Sequence, residues 1–96
     1  MNKEQAKQLL DGLGSSSRKV AATLRAQGIK GGVRKAMSCP ISNYLKKHGA
    51  IGVGTSPGYA VLYEEQWEEI TLPIAVKMFV ASFDRGRFSD LQDKSK

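Results

Sequence analysis

Cysteine and histidine each occur once in this 96-residue chain, as Cys39 and His48. A single cysteine excludes an intrachain disulfide and fits a reducing, cytoplasmic setting. One cysteine and one histidine cannot assemble a structural zinc site. The two lie nine residues apart on a stretch read below as a helix, which sets them about 180° apart around its axis. A thiol–imidazole dyad within that helix is therefore disfavoured. Cys39 reads as a small buried or capping residue, and His48 as a packed or capping one. No apolar run reaches the ~18 residues of a membrane span, and the polar, charged opening from Met1 to Leu10 is not a secretion signal. Phosphate-cradling glycine motifs are missing too. Gly49, Gly52 and Gly54 do not give the G-x-G-x-x-G spacing, and no Gly-Lys-Ser/Thr follows. The expectation is a non-enzymatic protein without cofactor or metal.

Acidic residues are scarce in the first half. Residues 1–48 hold ten Lys/Arg against Glu4 and Asp11, a net +8, whereas residues 49–96 hold five against seven acids, a net −2. A field of this sign favours phosphate backbones or acidic protein partners. Hydrophobic content of 41% argues against wholesale disorder. The length fits one domain, placed at residues 1–92, with 93–96 as a frayed tail.

Residues 3–11 predict a short helix with Ala6, Leu9 and Leu10 on one side. Ser15-Ser16-Ser17 offers caps for a second helix to about Gln27, with Val20, Ala21 and Leu24 apolar. Gly28 then stands at a left-handed C-terminal position, and Ile29 can fold back on Leu24. Residues 30–38 read as a basic loop. Pro40 opens a third helix whose apolar face is Ile41, Tyr44, Leu45 and His48, with Ser42, Asn43, Lys46 and Lys47 opposite. Gly49 stops it.

The period then changes to two. Ile51 and Val53 alternate with glycines, Ser56-Pro57-Gly58-Tyr59 fits a type II turn, and Tyr59, Val61 and Tyr63 face away from Ala60 and Leu62. Glu64-Glu65-Gln66 reads as a turn and Trp67 to Leu72 as a third strand. Pro73 opens a last helix to about Asp84 with Val76, Phe79, Val80 and Phe83 as its stripe. Gly86 ends it, before a capped turn at Ser89-Asp90-Leu91. The class is α+β: three N-terminal helices, a small antiparallel hairpin or three-stranded sheet, and a C-terminal helix.

This order matches the winged-helix variants of the helix-turn-helix, in which the third helix enters the major groove and the hairpin is a wing. On that reading Ser42, Asn43, Lys46 and Lys47 face bases or phosphate. Arg18, Lys19, Lys30, Arg34 and Lys35, with Arg25, supply backbone contacts. The long segment between the second and third helices and the uncharged Cys-Pro start of the third count against it. Gly28-Ile29-Lys30-Gly31 has the G-x-x-G form of a KH-domain clamp, but a helix cap plus loop explains it more simply. The leading expectation is a small basic nucleic-acid-binding or regulatory protein, with DNA the first partner to test.

The alternative is a protein-interaction adaptor or inhibitor acting through the second half. Six of the seven aromatic residues lie there, namely Tyr59, Tyr63, Trp67, Phe79, Phe83 and Phe88. Core packing is the simpler expectation for Trp67. Left exposed among Glu64, Glu65, Glu68 and Glu69, it would be a hot spot. Those four acids otherwise read as a solvated rim.

Cys39-Pro40-Ile41-Ser42-Asn43-Tyr44-Leu45 resembles the Cys-Pro-apolar-x-x-Tyr-Leu segment of small hypothetical proteins of actinobacteria and their phages. Leu72-Pro73-Ile74-Ala75-Val76, Phe79-Val80, Phe83-Asp84-Arg85-Gly86 and Asp90-Leu91 are similar to the closing helix of the same group. The resemblance covers about residues 28–92. It implies a compact cytoplasmic domain, phage-encoded in some members, and carries no catalytic residue across.

Overall fold

The computed structural model describes residues 1–63 and 66–93. Among these the chain forms α1 (Lys3–Asp11), α2 (Ser17–Ala26), α3 (Pro40–Lys47), β1 (Val53–Thr55), β2 (Tyr59–Tyr63), β3 (Trp67–Thr71) and α4 (Ile74–Asp84). A short 3₁₀ turn at Ser89–Leu91 follows. The class is α+β, as the order of periodicities implies. The turn expected at Glu64-Glu65 and the tail at 94–96 lie outside the described residues.

The first three helices start at side-chain caps, whereas α4 starts after Pro73 without one. Asn2 caps α1 in a reciprocal pair with Gln5, the Gln5 N–H donating to Asn2 Oδ1 at 2.8 Å and the Asn2 N–H to Gln5 Oε1 at 3.0 Å. Ser16 Oγ accepts from the Lys19 N–H at the start of α2. At α3 Cys39 is the cap, its Sγ accepting from the Ser42 N–H at 3.5 Å.

Three helix ends share one device. After α2, α3 and α4 the chain passes through Gly28, Gly49 and Gly86 at φ of 70°, 118° and 97°. The next N–H reaches back five residues, from Ile29 to Leu24, Ala50 to Leu45 and Arg87 to Ser82. These are Schellman endings, which need a residue free of Cβ strain at the reversal. The G-x-x-G at Gly28–Gly31 is therefore a helix end. Gly31 has its own reason to be glycine. A Cβ there would lie 2.4–2.6 Å from backbone atoms of Ser38, Cys39 and Pro40, so the loop presses directly on the start of α3.

The sheet runs β1-β2-β3, antiparallel throughout. Thr55 pairs with Ala60, and Tyr59, Val61 and Tyr63 pair with Thr71, Glu69 and Trp67. The alternation places Val53, Ala60, Leu62 and Ile70 inward. The β1–β2 connection differs from the type II turn expected of it. Gly58 lacks the positive φ that turn requires. The link closes through the Ser56 N–H to the Tyr59 carbonyl at 2.8 Å, and the Gly58 carbonyl is engaged by the Leu72 N–H.

One core cluster extends from Ala6 to Leu91. α4 packs on α2, and its Phe79 ring stacks between Phe83 at 5.7 Å and Phe88 at 5.4 Å. Residues 30–38 are tied from several sides. Gly31 forms a parallel bridge with Gln92, donating to the Leu91 carbonyl and accepting from the Asp93 N–H. The Ala36 carbonyl accepts the Thr55 N–H, and the Arg34 N–H donates to Asp84 Oδ1 at 3.0 Å. Asp93, the first residue of the expected tail, donates its N–H to the Gly31 carbonyl at 2.8 Å.

Candidate functional site

The polar side of α3 is not the open reading face that its spacing predicts. Ser42 is fully buried, with Oγ 2.6 Å from the Ala36 carbonyl and 2.8 Å from Thr55 Oγ1. Asn43 spends both amide hydrogens on the carbonyls of Lys30, at 2.7 Å, and Ser38, at 3.1 Å. Lys46 donates to the Met37 carbonyl, and Lys47 to the Gln27 carbonyl at 2.8 Å. The physical reason is the long basic loop, which folds over this side of α3 and brings carbonyls that need donors. Ser42 and Asn43 are therefore struts. Lys46 and Lys47 remain exposed cations with their ammonium groups anchored.

The remaining basic residues divide in two. Lys30, Arg34 and Lys35 are exposed on the loop, which Asn43 and Lys46 of α3 hold in place. Arg18 and Lys19 are exposed in the first turn of α2, a helix about 15 Å long. Cations there oppose the helix dipole. Arg25 is committed elsewhere. Its guanidinium makes two hydrogen bonds to Asp90 Oδ2 and Oδ1 and holds that carboxyl below its usual range.

The sheet's outer face carries the aromatic surface. Trp67 is 78% exposed, so the core position expected for it is overturned. The pairing register explains this. Trp67 sits opposite Tyr63, on the same face as Tyr59 and Val61, while Leu62 and Ile70 point into the core. Its ring meets that of Tyr63 edge-to-face at 5.0 Å. The Tyr63 ring in turn lies over Gly54. Tyr59 is 40% exposed at the far end of the strand. Glu69, opposite Val61, supplies an exposed acid at the centre, and Glu68 is half-buried on the other face. Glu64 and Glu65 lie outside the described residues.

The lone thiol and the lone imidazole stand at opposite ends of α3. Cys39 caps the start of α3, and His48 caps its end, with Nε2 3.0 Å from Gln27 Oε1 and its ring 4.8 Å from that of Tyr44. Among the described residues no group of three or more His, Cys, Asp or Glu could hold a metal ion, and no helix is long and apolar enough to cross a membrane. What the sequence does not reveal is a cleft between the basic loop, the hairpin and α4, which groups Arg34 and Lys35 with Phe79, Val80, Phe83 and Asp84. It joins positions up to 50 residues apart, such as Arg34 and Asp84. Local spacing carries no sign of it.

Comparison with family models, with curated proteins and with solved structures finds no match to this chain.

Proposed function

We propose that the chain is a small non-enzymatic binding protein that takes a protein partner on the outer face of its sheet, with Trp67 as the anchor. The observation that carries this reading is the exposure of Trp67, held by Tyr63 in a fixed edge-to-face contact. A rigid indole loses little conformational entropy on docking, and Trp and Tyr dominate interface energetics. Glu69 beside it suits a partner with basic residues around an apolar pocket. A cytoplasmic setting accords with the lone buried thiol of Cys39.

The test compares the wild-type chain with Trp67→Ala as bait. An exposed site predicts a melt lowered by no more than the ~0.5–1.5 kcal/mol of the Tyr63 ring contact, and loss of the co-purifying partner. Trp67 is the only tryptophan, so adding the isolated partner should shift its emission to the blue. Retention of the partner by the variant would refute the assignment.

A second reading is favoured by a separate observation. Seven cations, Arg18, Lys19, Lys30, Arg34, Lys35, Lys46 and Lys47, are all exposed. These cations would bind DNA or another nucleic acid through phosphates rather than base edges. Arg18→Glu with Lys19→Glu is the clean test, because each change favours the helix dipole by about 0.3–1 kcal/mol. Duplex affinity should fall and its salt dependence flatten while the fold is retained. Unchanged affinity would eliminate these two contacts.

A further inference from the structure

A cleft of about 250 Å³ opens between the basic loop, the tip of the β1–β2 hairpin and α4. Its floor is apolar, formed by Ile41, Phe79, Val80 and Phe83, and its rim carries Arg34 and Lys35. Drug-sized pockets span ~300–1,000 Å³, and a dry cavity of ~150 Å³ already admits benzene. The space therefore fits one ring or a short chain, with a polar group at the mouth.

The backbone at the rim gives a second, independent observation. Arg34 adopts φ 58°, in the left-handed region that glycine fills without strain. The only other described non-glycine residue there is Phe88, whose ring is stacked on Phe79. Arg34 has no such packing, since it is exposed. Its conformation is held by its N–H, which donates to Asp84 Oδ1 at 3.0 Å. An arginine thus stands where glycine would be easier, at the edge of an apolar hole. Strain of this kind concentrates at ligand sites. The facing charges are Lys35 from the loop and Asp84 from α4, and the Asp84 carboxylate already accepts a hydrogen bond from the rim backbone. The rim stays net positive.

From these observations we infer that the cleft binds a small apolar monocarboxylate, with its ring or chain on Phe79, Val80 and Phe83 and its carboxylate at Arg34 and Lys35. This site is separate from the aromatic sheet face and does not depend on the partner proposed for it.

The test uses benzoate, phenylacetate and hexanoate as probes, titrated into the isotope-labelled chain and followed by amide chemical shifts. At least one should produce saturable shifts confined to residues 34–36, 39–41, 55–57 and 79–84. The uncharged amide of that probe should bind about tenfold more weakly, the scale of one charged hydrogen bond. Arg34→Gly suits the left-handed backbone and so should keep the fold while weakening the acid about tenfold and leaving the amide unchanged. Lys35→Gln provides a second variant outside any strained position. Absence of saturable shifts with all three acids would overturn the proposal. So would shifts centred elsewhere, or equal binding of acid and amide.

Discussion

Ser42→Ala should be among the most damaging single-atom deletions in this chain, and the hydrogen-bond geometry says why. The Ser42 hydroxyl has one hydrogen, and Oγ lies 2.6 Å from the Ala36 carbonyl, which can only accept. At the 2.8 Å contact with Thr55, the threonine must therefore be the donor. The chain of donation runs from Thr55 through Ser42 to Ala36. Removing the Ser42 oxygen leaves the Thr55 hydroxyl, on a residue 5% exposed, with no acceptor. An orphaned buried group costs about 1–3 kcal/mol, so a loss of about 2 kcal/mol and about 10 °C in melting temperature is expected. Thr55→Val leaves Ser42 still donating to Ala36 and should cost only about 1 kcal/mol. In the double variant the Ala36 carbonyl keeps the Thr55 N–H at 2.9 Å, so no new orphan appears. Its cost should fall about 1 kcal/mol below the sum of the singles. Urea melts of the four proteins measure this cycle. Additivity within about 0.5 kcal/mol, or a Thr55→Val cost above that of Ser42→Ala, would refute the assigned direction of donation.

Gly31→Ala should destabilise by at least the ~1–3 kcal/mol of an overpacked core, because the methyl meets backbone and no side chain can move aside. A melt equal to wild type would show that the loop does not press on α3. Asp90→Asn tests the clasp to Arg25. The folded carboxyl sits below the unfolded value of 3.8. Its contribution is thus present above that pH and lost as pH falls through the folded pKa. The variant should melt below wild type at pH 6, and the gap should close in strong acid. Tyr44→Phe gives the opposite limb. Burial holds the Tyr44 phenol above its ordinary value of 10.0. The wild type should therefore lose stability as pH rises past that value, where the unfolded chain ionises first. The variant, lacking the 3.0 Å bond to the Leu9 carbonyl, should be about 1 kcal/mol weaker at neutral pH and flatter in alkali.

Much of the scaffold is legible in local spacing. Gly28, Gly49 and Gly86 mark helix ends because only one backbone reversal is available at each. The alternation through Tyr59 to Tyr63 gives the inner and outer faces of β2 directly. What local spacing cannot carry is contact between distant segments. A polar stripe on α3 reads as solvent-facing until the loop places Ala36, Met37 and Ser38 carbonyls over it. Trp67 reads as core because indoles usually are. Its exposure follows from pairing with Tyr63 in a register set by the whole hairpin. The proposed cleft was illegible for the same reason, since Phe79, Val80 and Phe83 of its floor lie far along the chain from Arg34 and Lys35 of its rim.

The bridge between Gly31 and Gln92 bears on how the molecule is made. A ribosome adding about 5–20 residues per second releases the loop at 30–38 several seconds before the residues that tie it down. Leu91 and Asp93 bond to Gly31, and Asp90 reaches Arg25 across 65 positions. During that interval the loop already has its bonds to α3 but lacks the ties from Asp84, Leu91 and Asp93. The basic surface thus takes its finished shape only when residue 93 emerges, so a nascent chain halted before that point would display the same charges in a different arrangement.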